Sequence, residues 1–186
     1  MLIHNGGSIF HDFQRVIDKD LKTHSYPIDK LLESFECNRP TSELVWKWLA
    51  SKKDPIQMDM LSSFAPQGSV TRLCEDMDIP ILLFTMPGAD FWHHFDIAEW
   101  NQLGDVSQSC FNTLRIRFIQ DNFHFVNMGS AVMHPEIFIK AIALSKPKNF
   151  KADVVDFKEM YRPRTRVAIF GKYFKMTHKE YFAKVV

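Results

Sequence analysis

The sequence contains no run of 18 or more apolar residues, which excludes a membrane-spanning helix of ordinary length. Its first residues, Met-Leu-Ile-His-Asn-Gly-Gly, lack the basic start and the apolar segment of a signal peptide. Cysteine is scarce: Cys37, Cys74 and Cys110 cannot all pair, and their spacing is not that of a metal site. We therefore expect a cytoplasmic protein with reduced thiols and without a cofactor, a metal or a membrane contact.

The chain also lacks internal repeats and low-complexity tracts, so repeat architectures and disordered linker proteins are excluded. Its 186 residues, 46% apolar and 24% charged, have the composition of one ordinary globular domain. The 17 phenylalanines and four tryptophans predict a core that is rich in large aromatic contacts.

Charge is nearly balanced, at a net +1, but it is unevenly distributed. From Lys146 to the end, eleven Lys and Arg stand against four Asp and Glu. Aromatic and basic residues are interleaved between Tyr161 and Lys184, a pattern found both in nucleic-acid grooves and in ordinary amphipathic strands and helices. Nucleic-acid binding by this segment is therefore a hypothesis from a second functional class, beside a solvated surface of mixed charge.

Hydrophobic periodicity predicts four helices and a small sheet. The helices are predicted over residues 8–21, 41–50, 69–77 and 135–144, and the strands over 79–85, 114–119, 123–127 and 166–170. Because Asp121-Asn122 is a turn pair, we expect the strands on either side of it to form a hairpin. The fold class is thus α+β, with helices packed on a small, mostly antiparallel central sheet.

A first indication of chemistry is Asn5-Gly6-Gly7-Ser8, which places a hydroxyl group on a glycine turn at the start of an apolar helix. Backbone N–H groups at a helix N-terminus stabilise a thiolate and the oxyanion of a tetrahedral intermediate. Glycine also lets the backbone approach a scissile carbonyl closely. The same pattern is that of an ordinary helix cap, so it does not identify an enzyme by itself.

Three motifs in this order resemble the OTU (ovarian tumour) family of papain-like cysteine proteases, which are mostly deubiquitinases. Asn5 to His11 is similar to the family's Asp-Gly-Asn-Cys-Leu-Phe-His start, and Gln67-Gly68-Ser69 is similar to the turn before a helix and a buried strand. Phe123-His124-Phe125 is similar to the family's final hairpin. The resemblance implies an OTU-like papain-type domain over residues 1–130, with 131–186 as a basic C-terminal extension packed on or continuing it.

The resemblance also implies which residues form the catalytic site. Ser8 stands at the position of the family's nucleophilic cysteine, and Gly6 and Gly7 contribute the oxyanion-type backbone. His124 stands at the position of the general base, and Asn5 replaces the family's leading Asp.

The acid that should orient the histidine is missing from its usual position. The family has Asp or Asn two residues after the histidine, whereas this chain has Val126, with Asn127 as an alternative support. A serine nucleophile needs a well-oriented base, so a serine with an unsupported histidine should be a very slow catalyst.

Two interpretations follow. In the first, which we expect, the protein is an OTU-like pseudo-deubiquitinase, a catalytically inactive module that binds ubiquitin, a ubiquitin-like protein or another protein partner. In the second, it is an active OTU cysteine protease in which Ser8 replaces the nucleophilic cysteine. A domain of a viral or retroelement polyprotein that acts in the host cytosol is compatible with either interpretation.

A His-x-Asp motif, His94 and Asp96, offers an alternative catalytic pair. As a metal site it is unfavourable, because adjacent residues do not readily converge on one ion. We interpret this segment as a solvent-facing aromatic loop. The candidate partner-binding residues are Gln67, Phe91, Trp92 and His94.

Overall fold

The computed structural model describes residues 1–17, 39–51, 64–88, 93–94, 96–120 and 122–185. The chain divides into two compact units, Met1–Cys110 and Phe111–Val186. The division that we expected after residue 130 falls inside the second unit. Among the helices in the described ranges, none combines the length and the apolar character needed to cross a membrane.

A two-stranded parallel sheet and three helices form most of the described part of the first unit. Its elements are β1 (Leu2–Asn5), α1 (Gly6–Ile17), α2 (Arg39–Ser51), α3 (Val70–Asp76) and β2 (Ile81–Phe84). Leu2 pairs opposite Ile81 and Asn5 opposite Phe84, and the long connection between the strands permits this parallel pairing. The predictions of these three helices and of the strand over 79–85 are confirmed, although the predicted end of the first helix lies outside the described residues.

The core of the first unit lies between α1, α2 and β2. It includes Ile9, Phe10, Phe13, Val45, Trp48, Leu49 and Leu83, all buried. Asp12 of α1 links this helix to α3. Its carboxylate accepts hydrogen bonds from the backbone N–H groups of Val70 and Thr71, both at 2.8 Å. A carboxylate at this position satisfies otherwise unpaired N–H groups of the first helical turn.

Two of the three cysteines lie within the described residues. Cys74 is a buried free thiol, as expected, Cys110 is also buried, and Cys37 lies outside the described ranges. Burial raises the pKa of the Cys74 thiol, so this group stays protonated and is a packing residue.

A 20-residue helix, α4 (Trp100–Ile119), begins in the first unit and ends in the second. The strand predicted over residues 114–119 is therefore wrong. Cys110, Leu114 and Phe118 are buried at a spacing of four, whereas Ile116 and Ile119 are more than half exposed, which is the pattern of a helix face. Six alternating residues were too short a window to distinguish a strand from the end of a long helix.

The second unit contains a three-stranded parallel sheet in the order β3 (Phe123–Met128), β4 (Phe150–Asp156) and β5 (Tyr173–Lys175). Helix α5 (Met133–Ser145) connects β3 to β4, and α6 (His178–Val185) follows β5. The hairpin and the mostly antiparallel sheet that we predicted are therefore wrong. Because the segment before β3 is helical, β3 pairs instead with the strand that returns after α5. The helix predicted over residues 135–144 is confirmed.

Side-chain alternation gives this sheet two different faces. One face carries the rings of Phe123, Phe125 and Phe150, which pack with Phe118, Phe138 and Phe170 in an aromatic cluster. The centroid distances are 4.3 Å for Phe118–Phe123 and 4.4 Å for Phe125–Phe138. On the opposite face, Phe174 of β5 packs against Tyr181 of α6 at 5.3 Å. The expectation of an aromatic-rich core is confirmed.

The connection from β4 to β5 is helical rather than extended. A π-helical turn spans Pro163–Val167 and a 3₁₀ turn spans Ala168–Phe170, so the strand predicted over residues 166–170 is wrong. Proline at the start of the first turn favours helical backbone, because its fixed φ suits the first helical residue and its missing N–H is not needed there.

Candidate active site

The second unit brings together the polar side chains of His124, Lys151 and Asp153. The parallel register sets His124 of β3 opposite Lys151 of β4, and Val126 opposite Asp153. Residues two apart in a strand share a face, so His124 and Asp153 lie diagonally across the two strands. The cluster is on the same face of the sheet as Phe174, the face covered by α6.

Asp153 is the centre of the cluster and is fully buried. Its Oδ2 atom lies 2.8 Å from Nε2 of His124 and 2.7 Å from Nζ of Lys151. Its Oδ1 atom accepts a hydrogen bond of 2.7 Å from the backbone N–H of Lys172, the residue before β5. These three donors compensate the loss of water around the buried carboxylate.

The contacts determine the ionisation of the carboxyl group. Burial alone would raise the pKa of Asp153, but the hydrogen bonds from Lys151, from the Lys172 N–H and from His124 hold this pKa below its ordinary value. The hydrogen bond to Asp153 in turn raises the pKa of Lys151. At neutral pH the cluster therefore contains a carboxylate and an ammonium group.

Gly171 allows the backbone to approach this carboxylate. A Cβ atom added to Gly171 would meet the carbonyl oxygen of Ala152 and lie 2.6 Å from Oδ1 of Asp153. Any side chain here would push the start of β5 away from β4. The missing Cβ is thus what lets the Lys172 N–H reach Asp153.

His124 presents one ring nitrogen to the carboxylate and the other to its surroundings. Because a carboxylate only accepts hydrogen bonds, Nε2 must be the donor, and the neutral ring then has its unprotonated nitrogen at Nδ1. Within the described residues Nδ1 has no hydrogen-bond partner, and 41% of the side chain is exposed. An imidazole oriented by a buried carboxylate, with its second nitrogen open, can take up a proton.

The nucleophile and oxyanion residues expected from the sequence belong to the first unit. Gly6 and Gly7 open α1, Ser8 is its exposed third residue, and Asn5 ends β1. His124 belongs to the second unit, so neither unit by itself contains both members of the expected Ser8–His124 pair.

The residues expected to support His124 lie near it in the strand but have other surroundings. Val126 shares the face of His124, and Asn127 is buried on the opposite face. Asn127 donates from Nδ2 to the carbonyl oxygen of Ser130 at 3.0 Å, which stabilises the turn after β3. The imidazole instead contacts the carboxylate of Asp153, which lies opposite Val126 on the neighbouring strand β4.

The remaining candidates lie in the first unit. Gln67 is exposed in the turn before α3, and Phe91 and Trp92 lie outside the described residues. His94 is buried, whereas Asp96 is exposed and pairs with Arg39 at 2.5 Å.

The expectation of a solvent-facing loop is wrong at positions 93 and 94, where both histidines are buried. Aromatic packing explains this for His93, whose ring lies 6.0 Å from the Trp46 ring and 5.5 Å from the Trp100 ring. A neutral imidazole has a flat, largely apolar surface that packs well against indole rings.

Sequence reasoning missed Lys151, Asp153 and Gly171. The only local signal was Lys151-x-Asp153, whose spacing of two puts both side chains on one face if the segment is a strand. Lysine and aspartate are depleted in strands, however, and no strand was predicted over residues 150–156.

The described part of the chain contains no group of three or more His, Cys, Asp or Glu that could hold a metal ion. Comparisons of the chain with protein-family models, with curated proteins and with solved structures find no match. The function must therefore be inferred from the chemistry of the residues.

Proposed function

We propose that this protein is a hydrolase in which His124 is the general base and Asp153 is the residue that positions it. The observation that supports this proposal is the 2.8 Å contact between Nε2 of His124 and the buried carboxylate. The interpretation as an inactive module depended on two departures, Ser8 in place of a cysteine and Val126 in place of the acid that supports the histidine. The carboxylate of Asp153 can supply that support, and an attack by water does not require a thiol.

In the proposed reaction, Nδ1 of His124 takes a proton from an attacking water molecule or hydroxyl group. The attacking oxygen forms a bond to the electrophilic centre of the substrate, and the bond to the leaving group breaks. The proton then passes from His124 to the leaving group. Asp153 holds the ring in place throughout and stabilises the imidazolium that forms after proton uptake.

The test compares wild type with His124→Asn on p-nitrophenyl acetate, on bis(p-nitrophenyl) phosphate and on a linked ubiquitin dimer. We expect kcat/KM of the substrate that is cleaved to fall by about 10²–10⁴ in the variant. His178→Asn is the matched control, because His178 is an exposed histidine of the same unit. Equal rates in wild type and His124→Asn, or no cleavage of any of the three substrates, would contradict the proposal.

The resemblance to OTU proteases adds two expectations to the same assay. It names Ser8 as the attacking hydroxyl, so Ser8→Ala separates a serine nucleophile from a direct attack by water. It also implies ubiquitin or a ubiquitin-like protein as the partner. Binding of ubiquitin by wild type and His124→Asn alike, with cleavage by neither, would support the pseudo-deubiquitinase instead.

The charge of the second unit favours nucleic-acid binding as a second candidate function. Residues 111–186 contain fourteen Lys and Arg against six Asp and Glu. Phosphate contacts from such residues make affinity fall steeply as the salt concentration rises. Fluorescence anisotropy with labelled single-stranded RNA at low and at physiological salt tests this candidate, and no binding at low salt would eliminate it.

A further inference from the structure

The cluster around Asp153 has its carboxylate inside and its ammonium and imidazole groups outside. The Asp153 side chain is 1% exposed, whereas the side chains of His124 and Lys151 are 41% and 51% exposed. Both oxygens of the carboxylate are already hydrogen-bonded. A molecule that approaches from solvent therefore meets an ammonium and an imidazole rather than the carboxylate.

None of the other described acids of the second unit forms an ion pair with His124 or Lys151. Glu136 pairs with Arg162 and Arg166, and Glu159 pairs with Arg164 and Lys175. Glu180 accepts hydrogen bonds from Thr177 at the start of α6. Asp156 lies on the face of the sheet opposite the cluster.

Positive charge also continues beyond the cluster. Lys172, whose backbone N–H binds Asp153, is exposed, and its ammonium group makes no ion pair within the described residues. Tyr181 of α6 lies close enough to Lys151 to contribute to the raised pKa of that ammonium group. Lys151 is thus a charged, accessible group beside the imidazole.

We infer that the His124 site takes a substrate bearing a phosphate group, and that Lys151 and Lys172 bind this group beside the imidazole. The inference deepens the proposed hydrolase function and rests on it. A phosphate offers several acceptor oxygens and one or two negative charges, which match the donating ammonium groups of Lys151 and Lys172 and leave Nδ1 of His124 unprotonated as the base. Small phosphate esters and the phosphodiesters of nucleic acid share this chemistry.

Binding is tested on the full chain by following the His124 ring signals in NMR spectra during titration with phenyl phosphate. We expect Lys151→Met to weaken binding about tenfold or more and Lys151→Arg to restore most of it, because arginine keeps the charge. Lys158→Met is the matched control, since it removes an exposed lysine of the same unit. Binding that is insensitive to Lys151→Met, or absent in wild type, would overturn the inference.

Activity distinguishes this inference from the proposed function. Lys151→Met should lower kcat/KM for bis(p-nitrophenyl) phosphate about tenfold more than for p-nitrophenyl acetate. Equal losses on both esters would overturn the phosphate assignment and leave the hydrolase intact. Binding of phenyl phosphate that depends on Lys151, without cleavage of any ester, would support the binding site and overturn the hydrolase.

A further pair of ligands identifies the source of the phosphate. A single-stranded oligonucleotide that binds more tightly than phenyl phosphate, with the same dependence on Lys151, indicates the phosphodiester of nucleic acid. Tighter binding of phenyl phosphate indicates a small phosphate ester. Either ranking supports a phosphate site.

Discussion

His124 and Asp153 are 29 residues apart in the chain, yet Nε2 of the first lies 2.8 Å from Oδ2 of the second. The register of β3 and β4 creates this contact, because it sets Asp153 beside Val126 and diagonal to His124. The acid that a motif would place two residues after the histidine comes instead from the neighbouring strand. In this chain, valine at position 126 therefore does not leave the His124 imidazole without a carboxylate partner.

Asp153→Asn should lower kcat of the proposed hydrolysis by about 10²–10⁴, because an amide can orient the ring in the wrong tautomer. The 15N shifts of the His124 ring report this tautomer, and in wild type we expect the proton on Nε2. A merely structural role of Asp153 would not change the tautomer. Asp105→Asn, which changes an exposed acid of α4, is the control, and unchanged rate and tautomer in Asp153→Asn would refute the assignment.

Gly171→Ala should destabilise the protein by about 1–3 kcal/mol, because the new Cβ would collide with the Ala152 carbonyl and Asp153. Gly104→Ala is a matched control in α4, where an added Cβ meets no atom within 4 Å. That variant should be more stable by about 0.5–1 kcal/mol, since alanine favours a helix. Urea unfolding measures both values, and a Gly171→Ala variant as stable as wild type would show that β5 can move away without cost.

Lowering the pH should decrease the stability of the first unit, because His93 becomes protonated more readily in the unfolded chain. Burial lowers the pKa of His93 to about 4, from about 6.5 in the unfolded chain. The unfolded state therefore binds the extra proton between these pH values. The stabilisation by neutral His93 is complete above about pH 6.5 and is lost as the pH falls towards about 4, at no more than about 1.4 kcal/mol per pH unit.

Urea unfolding of wild type and His93→Gln at several pH values from 7 to 4 measures this effect. The free energy of unfolding should depend less steeply on pH in His93→Gln than in wild type. The difference in slope corresponds to at most one proton taken up on unfolding. His178→Gln, a change at an exposed histidine, is the matched control. Identical slopes in wild type and His93→Gln would show that the His93 ring is protonated as easily in the folded protein as in the unfolded chain.

Phe138→Ala should cost about 3–5 kcal/mol, because Phe138 is fully buried and its ring stacks on Phe125 at 4.4 Å. Phe157→Ala is the matched change at a phenylalanine that is 82% exposed, and its effect should stay within about 0.5 kcal/mol. Thermal or urea unfolding distinguishes the two. Similar losses would mean that the aromatic cluster contributes no more than an exposed ring.

Elements with strong local signals were predictable from the sequence. Helix α3 has Ser69 as its N-cap, with the side chain accepting from the N–H of Arg72, and β2 is a short apolar run that is buried throughout. Such signals act within a few residues, so they do not depend on the rest of the fold.

The pairing of strands was not predictable in this way. Residues 114–119 alternate like a strand, but Leu114 and Phe118 continue the buried face of a long helix. Because that segment is helical, β3 cannot pair with it and pairs with β4 instead. The register of this pairing places Asp153 beside His124. Ser8, His124 and the glycine turn could be named from local patterns, whereas Lys151 and Asp153 depend on contacts between distant segments.

The carboxylate of Asp153 collects one hydrogen-bond donor from each of three chain segments: β3, β4 and the residue before β5. The set of three donors is therefore complete only when the residue before β5 lies beside β4. A chain that is truncated before Gly171 would lack the hydrogen bond from the Lys172 N–H to Asp153, the residue that contacts the His124 imidazole. The ring signals of His124 should therefore report whether these three segments have come together in the second unit.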